Sequence, residues 1–386
     1  MRVLFIAHSF PRFPGDAAGS FLHRLAIALR KEKVDVSVIA PAARGVAEFD
    51  NLAGIAVERF RYAPRTYETL AYTGTMAQDV SASWTAKLAM IGFMGAGFAS
   101  GLGATRRLAP DIIHAHWWFP SGVFAAAISR LSRIPLVTTM HGTDVRFARA
   151  VGASRPLFRG VMRRSAQVTT VSSWLASEVS AMLPGVVPRV APMPVATERF
   201  APAGKREQRR FLFAGRLNEQ KGLKHLLSAM TRLEHDVTLD VVGDGPDSES
   251  LRSVAVENGI AARIVWHGQL HQDGLLQLYQ RATALVVPST DEGLGLVAAE
   301  GLMCETPVIA FRSGGLTDVI EHERTGLLVP PGDADALAAA MQRILSRSDE
   351  ALSFGKAGRT SALSAFSPEA SARQYAGIYE EALGRA

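Results

Sequence analysis

The chain has a single cysteine, Cys304, in 386 residues. A disulfide within one chain is therefore excluded, and a reducing compartment is expected. Cys304 follows Met303 in an apolar helix-like run and reads as a small core residue, not a nucleophile. Low-complexity tracts are missing. A secretory signal is not expected either, because Arg2 is followed by only five apolar residues before His8. Charge is missing from Leu88 to Thr105, eighteen residues and the nominal length of a membrane span. That stretch is rich in small residues, with Gly92, Gly95, Gly97, Gly101 and Gly103. Closely packed helices in the first domain, lining a groove, are the expectation there rather than a span. The GxxxG pair Gly97 and Gly101 matters for a span only in a convincingly apolar segment.

What is present suits a soluble globular protein: 48% hydrophobic and 20% charged residues. The length exceeds one typical core and predicts two domains. Charge is unevenly divided. Residues 1–200 hold 23 Lys/Arg and 12 Asp/Glu, a net +11, whereas residues 201–386 hold 19 and 24, a net −5. A basic half attracts nucleic acid, anionic lipid or an anionic substrate. Arg146, Arg149, Arg155, Arg159, Arg163 and Arg164 crowd beside Phe147, Leu157, Phe158, Val161 and Met162. They read as a basic amphipathic helix suited to an anionic membrane surface, or equally as an ordinary solvated face. No nucleic-acid-binding module is present, so nucleic acid is not an expected partner.

Short apolar runs alternate with helical segments. Val3–Ala7, Val34–Ala40, Ile112-Ile113, Leu136-Val137 and Val168–Val171 read as strands in the first half. Phe211–Ala214, Leu239–Val242, Ile264–Trp266, Leu285–Val287 and Val308–Ala310 read so in the second. Runs without polar alternation argue for parallel sheets covered on both faces. The break lies at Pro192 to Arg210, with Pro192, Pro194, Pro202 and Gly204 ahead of Lys205-Arg206-Glu207. Two successive doubly wound units follow, and in such sheets ligands sit at the carboxyl ends of strands.

Nearly every chemical motif falls at such an end. Pro288-Ser289-Thr290-Asp291-Glu292-Gly293-Leu294-Gly295-Leu296 joins a strand to a helix, with Glu292 before the helix and Glu300 about two turns inside it. First-turn N–H groups and the helix dipole make Gly293, Leu294, Gly295 and Leu296 a candidate anion site. This segment resembles the E-x7-E signature of retaining glycosyltransferases with the GT-B fold, in particular glycosyltransferase family 4. Gly215-Arg216-Leu217-Asn218-Glu219-Gln220-Lys221-Gly222 is similar to the family's G-R-L-x-x-x-K-G block. By that resemblance Arg216 and Lys221 hold the donor's diphosphate, Glu292 holds sugar hydroxyls and Glu300 holds the ribose. Two fixed cations also suit charge building on a departing nucleotide without a metal. Gly243, in Val242-Gly243-Asp244-Gly245-Pro246, belongs to a turn that the family places near the nucleotide. It reads equally as a purely structural turn, and it lacks the later glycine of a dinucleotide fingerprint. Gly268 and Leu270, in His267-Gly268-Gln269-Leu270, fall where the family meets the base.

In the first half, His141-Gly142-Thr143-Asp144 resembles the family's H-G-x-D element, whose histidine faces the donor sugar. Asp144 is expected to order that loop or to accept from His141. His114 and His116 share one face of a strand end, but no third ligand with metal spacing is near, so His116 is a cleft residue and no metal is expected. Trp117, Trp118 and Phe119 suit a sugar ring or a core. Gly19 precedes a helix at which the family brings backbone N–H groups near the donor or acceptor; a simple Ser20 N-cap fits the same residues. Two motifs depart from the family pattern: Gly314-Gly315-Leu316-Thr317-Asp318 stands for G-G-x-P-E, and Pro192–Phe200 lacks the usual asparagine–glycine turn.

The resemblance implies an α/β protein of GT-B fold, two doubly wound Rossmann-like domains facing a central cleft. The first is residues 1–200 joined by a C-terminal helix at 368–386, and the second is residues 201–367. It implies a retaining, metal-independent glycosyltransferase with His141, Glu292, Arg216 and Lys221 as catalytic residues. No cofactor is expected beyond the donor, a UDP- or GDP-sugar. The acceptor is a glycan, glycolipid or small hydroxyl compound of envelope or polysaccharide synthesis. The expected location is the cytoplasm, with peripheral contact at the inner face of the membrane. A sugar-nucleotide epimerase on the same fold and a non-catalytic sugar-nucleotide binder are the alternatives.

Overall fold

The computed structural model describes residues 1–72, 76–204 and 206–384. Lys205, in the stretch read as a linker, and the last two residues of the expected C-terminal helix lie outside them. Two compact units form: Met1–Pro194 with Pro368–Ala386, and Val195–Ser367.

The first unit carries an eight-stranded sheet. Its strands are β1 (Arg2–Ile6), β2 (Asp35–Pro41), β3 (Phe49–Leu52), β4 (Ile55–Phe60), β5 (Ile112–His116), β6 (Leu136–Met140), β7 (Gln167–Thr170) and β8 (Arg189–Val190). They lie in the order β3-β4-β2-β1-β5-β6-β7-β8, parallel except for the hairpin β3–β4. Every residue of β5 and β6 is buried, as both-face cover requires. The hairpin escapes a search for apolar runs because β3 is short and polar. Its turn is made by Ala53 and Gly54, both at positive φ, with Asn51 Oδ1 accepting from the Gly54 N–H at 2.7 Å.

The uncharged stretch forms one helix, Trp84–Leu108. Gly97 and Gly101 face the helix Val123–Ser132. A Cβ on either would press on Phe124 or Ile128, at 2.9 and 2.7 Å. The basic crowd does not form one amphipathic helix. It splits into Thr143–Ala150 and Arg155–Arg164, and Phe158, Val161 and Met162 turn into the core. Packing has taken most of that stretch's apolar side chains, while Leu157 stays exposed. The C-terminal helix Pro368–Ala382 lies on β6, β7 and the helix Ser20–Lys31. Gln374 Nε2 donates to Val190 O at 2.6 Å and Tyr375 Oη to Ala191 O at 3.1 Å.

The boundary falls at 194/195, not at the expected 200/201. Val195 N–H donates to Phe366 O at 2.9 Å, and Phe200 packs edge-on against Tyr279. Residues 195–200 are thus tied to the second unit. Its sheet holds β9 (Arg210–Ala214), β10 (Thr238–Val242), β11 (Ile264–Gly268), β12 (Ala284–Val287), β13 (Val308–Phe311) and β14 (Gly326–Val329). All pairs are parallel, in the order β11-β10-β9-β12-β13-β14. Phe211, Phe213, Val241, Val286 and Ile309 belong to its core. Strand order reverses between β1 and β5 in the first sheet and between β9 and β12 in the second. At such a point the loops leave in opposite directions and open a crevice for a ligand.

Candidate active site

The switch point of the second sheet is furnished by the loop after β9, Gly215 to Gly222, and the loop after β12, Pro288 to Gly295. Thr290 N–H donates to Gln220 O at 2.9 Å, and Gln220 Nε2 donates to Asp291 O at 3.2 Å. Gly222 makes this approach possible. It sits at φ 67, and a Cβ there would lie 2.0 Å from Pro288 O. Neighbouring loops are joined on either side, Gly243 N–H to Gly268 O at 2.8 Å and Gly315 N–H to Glu292 O at 2.8 Å.

Lys221 Nζ lies 2.6 Å from Glu292 Oε2, both partly buried. Asn218 caps the short turn Glu219–Lys221 by accepting the Lys221 N–H on Oδ1 at 3.2 Å. Arg216 stands on the same loop, its carbonyl accepting from Asn218 N–H at 3.0 Å. Gly215 lies beneath the Lys221 stem: a Cβ would be 3.6 Å from Lys221 Cδ. Glu300 is the fifth residue of the helix Leu296–Met303, so it lies about one turn inside rather than two. Gly295, at φ 94, starts that helix, while Leu294 is buried. Tyr279 Oη donates to Glu300 Oε2 at 3.0 Å. Burial, and then the Glu300 charge, push the Tyr279 phenol well above its ordinary range, so it stays protonated and can donate. Cys304 follows the helix instead of lying inside it; it is fully buried, and burial pushes its thiol up to about 12. Leu270 is half-exposed beyond Gly268. The preceding His267 is held by Asp240, Nε2 to Oδ1 at 2.6 Å.

The first sheet's switch point is histidine-rich. His116 ends β5, His141 follows β6, and His8 lies two residues past β1. His116 Nδ1 and His141 Nε2 are 3.2 Å apart. Burial first, and neighbouring histidines second, push both well below the usual imidazole range, so both are neutral. Trp117 is nine-tenths buried and lies over the rings of His141 and His8, with centroids at 4.4 and 4.1 Å. His8 Nδ1 and His116 Nε2 are buried with no partner. Such atoms in a native fold call for a ligand or water. His114 is structural, with Tyr379 Oη and Thr139 Oγ1 each 2.7 Å from its two ring nitrogens. Trp118 is core, beside Phe147 and Phe158. Among the described residues no group of three His, Cys, Asp or Glu is arranged to hold a metal ion.

Asp144 orders the loop through backbone, not through the His141 ring. Its Oδ1 accepts the N–H groups of His141, Gly142 and Val145 at 3.0–3.1 Å, and its Oδ2 that of Trp118 at 3.0 Å. Gly19 caps the helix Ser20–Lys31, so Ser20 is the first helical residue and not the cap. At φ 68, a Cβ on Gly19 would meet Ser9 O at 2.7 Å. The glycine therefore holds the β1 loop against the helix start.

Residues 18–199 match the family model described as Glycosyltransferase Family 4, and residues 195–361 that described as Glycosyl transferases group 1. The 2-deoxystreptamine glucosyltransferase of Streptomyces kanamyceticus is 30% identical over 72% of this chain and 80% of its own length. The chain belongs to glycosyltransferase family 4. Its architecture is that of solved GT-B glycosyltransferases. Sucrose-phosphate synthase from Thermosynechococcus elongatus superposes with a TM-score of 0.80, at 23% identity over 100% of this chain and 99% of that one. The Anabaena protein HepE in complex with UDP-glucose does so with 0.73, at 18% identity over 98% and 99%.

In this family 4 enzyme the structure adjoins Lys221 to Glu292 and His116 to His141. Four contributors have no mark in the sequence motifs. Tyr279 sits mid-helix in an ordinary amphipathic pattern. Asp240 lies inside an apolar strand, where a lone carboxylate signals a buried partner. Asn218 occupies a variable position of the block. His8 differs, since its place just after β1 at a switch point was available as a signal.

Proposed function

We propose that this glycosyltransferase is a retaining, metal-independent enzyme. It moves a sugar from a UDP- or GDP-sugar to a hydroxyl acceptor of envelope glycan, polysaccharide or glycolipid synthesis. The observation that carries this reading is the Lys221–Glu292 pair beside Arg216 at the switch point. Without donor, the cation and the acid neutralise each other. A diphosphate competes for Lys221 by charge-assisted hydrogen bonds and releases Glu292 to accept from sugar hydroxyls. Arg216 and Lys221 then stabilise the charge left on the nucleotide when the C–O bond to the anomeric carbon breaks. The acceptor oxygen bonds to that carbon from the same face, and its proton passes to the departing phosphate oxygen.

Asp144 supports a route without a covalent nucleophile, because its two oxygens already accept four backbone N–H groups. His141, neutral and paired with His116, suits hydrogen bonding to a sugar hydroxyl. Glu300, oriented by Tyr279, suits the ribose. UDP is favoured by analogy with the complex of Anabaena HepE. A small hydroxyl compound is the alternative acceptor, by analogy with the 2-deoxystreptamine glucosyltransferase of Streptomyces kanamyceticus. The proposed location is the cytoplasm, at the inner face of the membrane.

A thermal-shift panel of UDP-, GDP-, ADP- and dTDP-sugars tests the donor. Stabilisation by a UDP- or GDP-sugar, unchanged by EDTA, is expected. Stabilisation by none of the four, or only with added Mg2+, sinks the reading.

A further inference from the structure

The helix Trp84–Leu108 has two apolar faces, and only one is used inside the protein. Ala86, Ala89, Phe93, Gly97, Gly101 and Ala104 are buried. On the opposite side Trp84, Leu88, Ile91, Gly95 and Ala99 recur at i, i+4, i+7, i+11 and i+15, one stripe about 22 Å long. Trp84 is 77% exposed, Leu88 64% and Ile91 70%. A surface helix normally turns a polar face to water. Here no acidic residue occurs in the helix at all, and its only charges are Lys87, Arg106 and Arg107. Lys87 Nζ lies 4.8 Å above the Trp84 ring. The neighbouring turn Arg65–Tyr67 adds an exposed arginine and a half-exposed Tyr67.

The position of this stripe follows from the packing. Arg2, at the start of β1, donates to Leu108 O at 2.9 Å, and Gly101 lies beside Ile6, at the end of β1. Eight residues therefore span the strand. The remaining seventeen, back to Trp84, run on for about 26 Å from the level of Ile6, with Phe93 still packed on Phe60 at the end of β4, and leave the first sheet at its carboxyl edge. That is the edge which carries His116 and His141.

We infer that this overshooting end, centred on Trp84, Leu88 and Ile91, docks the enzyme on an anionic lipid bilayer. Tryptophan, tyrosine and aliphatic side chains flanked by lysine and arginine are the chemistry of the membrane–water interface. Lys87 and Arg65, both exposed at this end, supply charge complementarity to anionic headgroups. This inference rests on the membrane-periphery reading above but moves the contact away from the basic stretch 146–164, whose apolar residues are largely committed to the core.

The test is flotation of the full chain with vesicles of phosphatidylcholine alone and of phosphatidylcholine with phosphatidylglycerol. The wild-type protein is expected to float with the anionic vesicles and poorly with the neutral ones. Trp84→Ser with Leu88→Ser and Ile91→Ser should lower binding at least ~10-fold. Lys87→Gln with Arg65→Gln should lower it several-fold on anionic vesicles only. All these side chains are exposed, so melting temperature and nucleotide-sugar affinity should be unchanged. Equal binding by the triple variant overturns the inference while leaving a membrane role open elsewhere. No vesicle binding by wild type overturns both and leaves the transferase reading standing. A wild-type dimer in light scattering that the triple variant turns into monomer assigns the face to a second copy and overturns it too.

Discussion

At the carboxyl edge of the second sheet the candidate ligand groups are charged, partly exposed and carried on glycine-rich loops. At the carboxyl edge of the first they are neutral and aromatic, His116 fully buried and His8 and His141 partly so. Both edges arise from the same event, a reversal of strand order. What differs is the loop. After β9 and β12, glycines let two backbones touch and leave Lys221 and Glu292 at the surface of the contact. After β1, β5 and β6, histidine and tryptophan rings pack against one another in tilted pairs. The cations suited to a diphosphate also lie in the acidic half of the chain. Summed charge therefore does not locate an anion site; fixed local geometry does.

The strongest way to break this contrast is Lys221→Ala. If the second edge performs the electrostatic part of catalysis, kcat should fall by about 100-fold or more, with the fold intact by circular dichroism. Unchanged turnover would remove the diphosphate assignment.

Next in size is Asp144→Ala on the first edge. It strips four backbone N–H groups of their acceptor in a buried place, at a cost of about 3 kcal/mol in urea unfolding. A loss of a few tenths would show that the loop does not depend on the carboxylate.

Acid titration separates the edges further. Burial lowers His114 to about 3 and His8 to about 4. The unfolded chain takes up these protons near pH 6.5, before the folded one can. Stability should therefore be full above pH 6.5 and fall as pH drops from there toward 4, where the unfolded state binds more protons. Replacing His114 by Gln should flatten the slope of melting temperature against pH in that window. An unaltered slope would mean that other groups set it.

The smallest effect belongs to Tyr279→Phe. It deletes the hydroxyl that donates to Glu300. KM for the nucleotide-sugar should rise roughly 3- to 10-fold, for one hydrogen bond to a charged group, with kcat little changed. An equal fall in kcat and kcat/KM would place Glu300 in the transition state instead.

The strand alternation, the division into two doubly wound units and the loops bearing Lys221, Glu292 and His141 were legible along the chain. Burial on both faces of a parallel strand writes itself as an uninterrupted apolar run. The short polar hairpin β3–β4 and the boundary at 194/195 were not legible, since their cause is contact with residues far away in sequence. The split of 146–164 into two helices, with the apolar side of the second turned into the core, was not legible for the same reason. Periodicity reports that a face is apolar, not what covers it.

The one-dimensional order of residues thus settled which side chains stand at the carboxyl end of each strand, because strand and loop follow from local pattern. Tertiary structure alone decided that Lys221 meets Glu292 across 71 residues, that Tyr279 orients Glu300, and that Trp84, Leu88 and Ile91 are left facing outward. Pairing and exposure depend on which surfaces meet in space, and the spacing of residues along a chain carries no record of that.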